Sequence, residues 1–240
     1  SSIEQWNCTS CDSTMKLEYV IEEEDSRALQ GFDTITNTIF TSFRGSSNIH
    51  NWIENIQIRK ISPYNDSSIE IEKGFFKAYN FVKPQMIENL GILKNKYKTK
   101  DLFITGHSLG AAMATLMSYD IMTALTEYNI KYFVNFGSPR VGNKEFVESF
   151  NSYNISSYRV THNYDMVPHL PEEFLGYSHI SNEIWYNEQN SEYKICDDDK
   201  EEDNSCSNSC APLYCTSTSD HLYYLNVSMG NDDIDAPLLL

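Results

Sequence analysis

One stretch, LFITGHSLGAAMATL at positions 102–116, restricts the fold more than any other part of the sequence. Its first four residues favour a strand, whereas its last six are rich in alanine, leucine and methionine and favour a helix. Residues 106–110 lie between them and form the pattern G-x-S-x-G. A strand that turns sharply into a helix at this pattern is typical of an α/β fold in which the serine stands at the end of a strand.

The chemistry that this turn offers centres on Ser108. Gly106 and Gly110 leave room for a tight turn that lifts the serine hydroxyl out of the fold. The amide of Leu109 and the positive end of the following helix can then stabilise an oxyanion. The alternative is a helix-capping serine between two glycines that serve packing. We predict that Ser108 is a nucleophile.

The rest of the sequence alternates between strand-like and helix-like patterns. Strands alternating with helices favour parallel pairing, so we expect an α/β sheet flanked by helices in a single domain over residues 1–240. Pro84 lies inside one predicted helix and should bend or split it. The predicted strands are 37–43, 101–105, 131–136, 157–161 and 178–186, and the predicted helices are 74–97, 108–127 and 143–150.

A serine nucleophile needs a base and a carboxylate that orients the base, and in such sheets they follow the serine in the order acid, then histidine. Asp165 comes directly after the predicted strand at 157–161, although it could be an ordinary turn residue. His221 follows a long irregular loop and is the predicted base. The other histidines are His50, His107 and His162, which precede the acid, and His169 and His179, which follow it and stay open as alternatives.

The charge of the chain excludes some functions. The formal net charge is −16, and such a chain repels the phosphates of nucleic acids and anionic membrane surfaces. No run of about 18 apolar residues is present, so no transmembrane segment is predicted. The acidic run at 196–206 is expected to be a solvated loop.

The cysteines and sequons indicate a secreted glycoprotein. An even number of cysteines in two tight groups favours disulfides, although the C-x-x-C spacing of Cys8 and Cys11 also suits zinc. The second group has no matching pair, so we predict disulfides and no metal or cofactor. The cysteines are Cys8, Cys11, Cys196, Cys206, Cys210 and Cys215, and the candidate glycosylation sites are Asn7, Asn65, Asn154 and Asn226.

Six motifs in a fixed order extend the pattern to nearly the whole chain. They are WNCTSC at 6–11, FRGSSNIHNWI at 43–53, GHSLG at 106–110, FGSPRVG at 136–142, DMVPHLP at 165–171 and DHLYY at 220–224. In this order they resemble the fungal-type, class 3 triacylglycerol lipases of the α/β-hydrolase fold. The resemblance implies Ser108 as nucleophile, Asp165 as acid and His221 as base. It also implies Ser46 and Leu109 as oxyanion donors and a lid helix at Ile49–Ile53.

Two features depart from that family: the link between the two ends of the chain, and a cysteine-rich insert at 196–215 that is not a strict family feature. Family members often carry a longer N-terminal helix tied to a cysteine near the C-terminus, and residues 226–240 contain no cysteine, so we expect that disulfide to be absent. We expect the pairs Cys8–Cys11, Cys196–Cys206 and Cys210–Cys215. The last four cysteines allow three connectivities, which the sequence leaves open.

The expected lid, at about residues 47–56, bears on the substrate. Ile49, Trp52, Ile53 and Ile56 share one helical face, which either packs on the core or covers an apolar site and meets lipid when open. We therefore expect a secreted, monomeric serine lipase that acts on triacylglycerol at an oil–water interface. The alternatives are a phospholipase A1 or a feruloyl-type esterase of the same family, and an inactive relative that binds lipid or a protein partner.

Overall fold

An eight-stranded mixed sheet forms the centre of the protein. The computed structural model describes residues 3–8, 11–54, 56, 58–197, 202–210 and 214–229. The sheet has the order β1-β2-β3-β6-β7-β8-β9-β10, and β4–β5 and β11–β12 form two small pairs. The strands are β1 (Met15–Glu23), β2 (Ser26–Asp33), β3 (Thr38–Phe43), β4 (Lys60–Ile61), β5 (Ile71–Glu72), β6 (Asp101–His107), β7 (Asn129–Phe136), β8 (Ser157–His162), β9 (Glu183–Tyr186), β10 (Tyr193–Ile195), β11 (Tyr223–Tyr224) and β12 (Val227–Ser228).

The strand directions confirm the predicted α/β class. Strands β3, β6, β7, β8 and β9 pair in parallel, whereas β1, β2 and β3 are antiparallel neighbours and β10 pairs antiparallel with β9. The strand predicted at 178–186 begins only at Glu183, directly after Asn182, whose positive φ of 68° breaks the extended backbone. The carboxyl ends of the parallel strands lie at one edge of the sheet, and this edge carries the candidate site.

The helices are α1 (Ile49–Glu54), α2 (Lys73–Tyr97), α3 (Leu109–Thr123), α4 (Lys144–Ser152) and α5 (Thr218–His221). Helix α2 is continuous although Pro84 lies inside it, so the proline does not split the helix. A proline removes one helical hydrogen bond. The buried face of α2 offsets this loss, because its side chains Tyr79, Val82, Met86 and Leu90 are all within the core.

Helix α3 forms the middle of the core. Every residue from Gly110 to Ile121 is buried, which explains why the sequence here is mostly apolar on all faces rather than amphipathic. The helix contacts β6 and β7 on one side and α2 on the other. Its first residue follows Ser108 directly, so the most deeply buried helix of the protein fixes the position of that serine.

All six cysteines are paired, as Cys8–Cys11, Cys196–Cys206 and Cys210–Cys215. Of the acidic run, residues 198–201 lie outside the described residues. Glu202 does not behave as part of a solvated loop, because its carboxylate pairs with Arg140 Nε at 2.7 Å and its side chain is 12% exposed. The buried guanidinium draws this end of the run into the protein.

Two surface features bear on secretion and membranes. The four sequon asparagines, Asn7, Asn65, Asn154 and Asn226, are all exposed. Across the part of the chain that the structure describes, no helix combines the length and apolarity that crossing a bilayer requires.

Candidate active site

Ser108 stands at a sharp turn between β6 and α3. Its backbone has φ 59° and ψ −128°, and its amide donates to Phe136 O at 3.0 Å. A Cβ at position 106 would lie 2.3 Å from Gly110 O, and one at position 110 would lie 2.2 Å from Phe43 O. Both glycines are therefore required by close backbone contacts. The serine hydroxyl makes no helix-capping hydrogen bond, which removes the alternative role of Ser108 as a helix cap.

Asp165 follows β8 at the same edge of the sheet and is 2% exposed. Its Oδ1 accepts the Val167 amide at 2.8 Å, and its Oδ2 accepts His221 Nδ1 at 2.9 Å and also the Tyr224 hydroxyl. Burial alone would raise the pKa of Asp165. The charge of His221 and the hydrogen bonds from these donors outweigh burial and lower the pKa below its ordinary value.

His221 ends helix α5 and is completely buried. Its Nδ1 faces Asp165, so its Nε2 points away from the carboxylate. The His221 Nε2 and the Ser108 Oγ are both buried, and neither has a hydrogen-bond partner among the described residues. In a serine hydrolase the proton passes between these two kinds of atom.

The two histidines left open as alternatives, His169 and His179, lie in other surroundings. His179 Nε2 lies 2.6 Å from Pro168 O, and burial lowers the pKa of His179 well below its ordinary value. Burial, with the nearby Arg140, lowers the pKa of His169 to about 4. Of the histidines in the described chain, only His221 is hydrogen-bonded to Asp165, so the structure favours it over His169 and His179.

The loop after β3 lies against the serine turn. A Cβ on Gly45 would come within 3.1 Å of Ser108 Cβ and 2.9 Å of His107 O, so Ser46 begins directly beside the serine. The Ser46 hydroxyl donates to Asn48 O at 3.3 Å. Leu109 is the first residue of α3, and the first amides of a helix have no acceptor within it. Both amides therefore lie close to Ser108.

Helix α1 follows this loop and packs with its apolar face inward. Trp52 stacks on Phe75 with ring centroids 6.0 Å apart, and Ile49 is 9% exposed. Ile56 was predicted on the same helical face but lies beyond the helix end at Glu54, although it still packs against the core. Ile53 is half-buried, and His50 is exposed on the opposite face.

A cavity of about 580 Å³ opens beside Asp165, between residues 166–174 and the disulfide-bonded loops. Met166, Leu170 and Phe174 form its apolar wall. The described lining includes neither Ser108 nor His221, so this cavity does not enclose the serine hydroxyl or the histidine ring.

No metal site emerges from the described residues. The two clusters with ligand-like spacing are His169 with Cys210 and Cys215, and Glu183 with Cys196 and Cys206. In both clusters the cysteines are joined by a disulfide, and a metal needs a thiolate. The same argument removes zinc from Cys8 and Cys11.

Sequence reasoning missed two residues of this site. Tyr224 donates to the buried carboxylate, and Gly137, at φ 54°, lets the chain pass so closely that a Cβ there would lie 2.9 Å from the His221 ring. The signal for Tyr224 was its place three residues after His221, in the DHLYY segment.

Comparisons with known proteins agree with this geometry. A family model described as lipase (class 3) matches residues 40–175, more than half of the chain. The lipase of Rhizomucor miehei is 32% identical over 233 residues, and the match covers 94% of this chain and 63% of that protein. The secreted mono- and diacylglycerol lipase A of Penicillium cyclopium is 27% identical over 239 residues, covering 95% of this chain and 77% of that protein.

One solved structure extends the likeness to three dimensions. It is a triacylglycerol lipase whose catalytic centre is described as a serine protease triad, and it matches with a TM-score of 0.86 and 31% identity. The match covers 94% of this chain and 86% of that one. The chain thus spans most of that structure but less than two thirds of the length of the Rhizomucor miehei lipase, of which it covers 63%.

Proposed function

From the premise that this chain belongs to the class 3 lipase family and has the α/β-hydrolase fold, we propose that it is a secreted serine lipase. Its proposed substrates are acyl esters of triacylglycerols. The observation that carries the proposal is the buried Asp165–His221 pair at the same sheet edge as Ser108, with Ser108 Oγ and His221 Nε2 both unpartnered among the described residues.

The first half of the proposed reaction forms an acyl-enzyme. Ser108 Oγ attacks the ester carbonyl carbon while His221 Nε2 takes the hydroxyl proton. The electron pair of the carbonyl moves to its oxygen, and the amides of Leu109 and Ser46, together with the Ser46 hydroxyl, stabilise that oxyanion. When the tetrahedral intermediate collapses, the alcohol leaves with the proton from His221.

The second half releases the acid. Water attacks the acyl carbon and gives a proton to His221, the same donors stabilise the second oxyanion, and the proton returns to Ser108 as the acyl bond breaks. Asp165 stays ionised throughout, because three hydrogen bonds satisfy its carboxylate. It therefore holds the tautomer of His221 with Nδ1 protonated and stabilises the imidazolium.

Helix α1 is the proposed lid. Its apolar residues Ile49, Trp52 and Ile53 follow Ser46 directly and lie inward, which suits the closed state of a lid. An oil surface binds the apolar face of the open state and shifts the equilibrium towards it. The three disulfides and the exposed sequons support secretion, and we propose that the chain acts as a single-domain monomer.

The experiment that tests the function combines labelling with a substrate panel. A fluorophosphonate should attach once per chain, and Ser108→Ala should abolish the labelling; labelling that persists would place the nucleophile elsewhere. Esters should then be compared from short p-nitrophenyl esters to emulsified triolein, phosphatidylcholine and methyl ferulate. Fastest turnover of phosphatidylcholine or ferulate would replace the lipase proposal with a phospholipase or feruloyl esterase. No labelling and no turnover would indicate an inactive relative.

A further inference from the structure

The peptide that carries the proposed base is held by two other histidines. Helix α5 has only four residues, and so short a helix is not stable by itself. Its position must therefore be fixed by contacts with the rest of the protein. The Asp220 carbonyl oxygen lies 2.9 Å from His162 Nδ1, and the His221 carbonyl oxygen lies 2.8 Å from His107 Nε2.

These two carbonyls belong to the two peptide planes that meet at His221 Cα. Fixing both planes fixes φ and ψ of His221, and hence the direction of its Cα–Cβ bond. The two donor histidines come from the strands that precede the proposed nucleophile and the proposed acid. His107 is the last residue of β6, directly before Ser108, and His162 is the last residue of β8, three residues before Asp165.

The Asp220 side chain adds a third link. Its Oδ2 accepts Asn163 Nδ2 at 2.9 Å and the Tyr164 amide at 3.2 Å. These donors lie in the segment that joins β8 to the acid, so the backbone before the base and the backbone before the acid are joined. His162 Nε2 lies 2.9 Å from Asn190 Nδ2, which can donate to it, and 3.1 Å from Glu188 O, so the other side of the ring is also held.

We propose that His107 and His162 are positioning residues that hold the backbone of His221 in the orientation needed for proton transfer with Ser108. This inference rests on the proposed function, because it assigns the two histidines to the same site. A carbonyl oxygen only accepts hydrogen bonds. To donate to these carbonyls, His107 must carry a proton on Nε2 and His162 must carry one on Nδ1. The nearer neighbour of His162 Nε2 is the donor Asn190 Nδ2 rather than Glu188 O, which fits a proton on Nδ1.

The neutrality of His107 suits this role. Its ring centroid lies 4.4 Å from that of His221. A positive charge at this distance would oppose formation of the imidazolium on His221. Burial, and then the charge of His221, lower the pKa of His107 to about 3, so His107 stays neutral while His221 gains and loses its proton.

The test uses matched substitutions. His107→Phe and His162→Phe keep a flat ring and remove the donor, whereas His107→Gln and His162→Asn return an amide donor near Nε2 and Nδ1 respectively. With a soluble p-nitrophenyl ester, each Phe variant should lower kcat about tenfold with KM unchanged, because misplacing a reacting group costs rate rather than binding. The Gln and Asn variants should recover most of kcat. Unchanged kcat in the Phe variants, or Gln and Asn variants as slow as the Phe variants, would overturn the proposal.

A measurement on the unmodified protein covers the case in which the Phe variants do not fold. Nitrogen-15 NMR should show the Nε2–H tautomer for His107 and the Nδ1–H tautomer for His162, and the opposite tautomer of either would overturn the proposal. A failure of this positioning proposal can be distinguished from a failure of the proposed lipase function. Absence of both phosphonate labelling and esterase activity would refute the lipase function whatever the tautomers are. An active enzyme whose Phe variants keep their kcat would refute only the positioning role of His107 and His162.

Discussion

The Tyr224 hydroxyl is the contact of this site whose removal has the most clearly defined consequence. Tyr224→Phe deletes one oxygen and keeps the ring, whose centroid lies 6.0 Å from that of Phe136 and 5.7 Å from that of His107. The substitution removes one of the three hydrogen bonds to the buried Asp165 carboxylate. A hydrogen bond to a charged group contributes about 1.5–3 kcal/mol. We expect the free energy of unfolding at pH 7 to fall by this amount.

The pH dependence gives the prediction a sign. The pKa of Asp165 in the folded protein is below its ordinary value, because His221, Tyr224 and the Val167 amide together outweigh burial. A depressed pKa means that this stability is present above about pH 4, near the unfolded pKa, and is lost as the pH falls through the folded pKa. The loss of unfolding free energy caused by Tyr224→Phe should therefore be largest at pH 7. It should shrink in acid towards the roughly 1 kcal/mol of a neutral hydrogen bond.

The assay is urea unfolding at pH 7 and at pH 3, with ester hydrolysis measured in parallel. Tyr223→Phe is the matched control, because Tyr223 is 42% exposed and, within the described part of the chain, its hydroxyl reaches only Asn226 Oδ1, at 3.4 Å. The control should change the free energy of unfolding by less than about 0.5 kcal/mol. Equal stability of the two variants at pH 7, or a deficit that grows in acid, would refute the reasoning.

Four further predictions concern the proposed chemistry. Ser108→Ala should lower kcat by about 10³-fold or more with the circular dichroism spectrum unchanged, and retained turnover would exclude it as nucleophile. Ser46→Ala should lower kcat by about 10²-fold while Ser47→Ala is nearly silent, and the reverse would move the oxyanion donor by one residue. Alkylation without reductant should add no mass, because all six cysteines are paired. Hydrolysis of tributyrin should rise steeply above its solubility limit, and Trp52→Ser should weaken that rise more than it weakens hydrolysis of a soluble acetate; an equal effect on both would favour a core-packed helix over a lid.

Most of the parallel half of the sheet could be predicted because its strands carry short apolar or alternating patterns bounded by polar residues or turns. Residues 101–105 and 131–136 were predicted as strands and lie within β6 and β7. The hairpin of β1 and β2 could not be predicted in the same way. The acidic segment Glu22–Asp25 ends β1 and forms the turn to β2, and β2 is placed by its pairing with β3 rather than by a local apolar pattern.

Those parts of the candidate site that follow from the expected chain order of the catalytic groups could be predicted from the sequence. Those that depend on packing between distant segments could not. The order of serine, acid and histidine led to Asp165, but it left His169 and His179 open beside His221. Only the fold separates them, since the His221 ring reaches Asp165 across 56 positions of sequence, whereas His179 is hydrogen-bonded to Pro168 O. The inward packing of Trp52 was equally undecidable, because a closed lid and a core-packed helix have the same amphipathic pattern.

The four neighbouring strands β3, β6, β7 and β8 explain why this fold can assemble the proposed chemistry. Each strand ends at the same edge, and three of the exits provide a polar group: Ser46 after β3, Ser108 after β6 and Asp165 after β8. The residue after β7 is Gly137, which has no side chain and leaves space instead. A Cβ at Gly137 would lie 2.9 Å from the His221 ring and 3.0 Å from Asp165 Oδ2, so any side chain there would force the base and the carboxylate to move. The candidate site therefore depends on a residue without a side chain as much as on its polar residues, because His221 meets Asp165 beside the space at the end of β7.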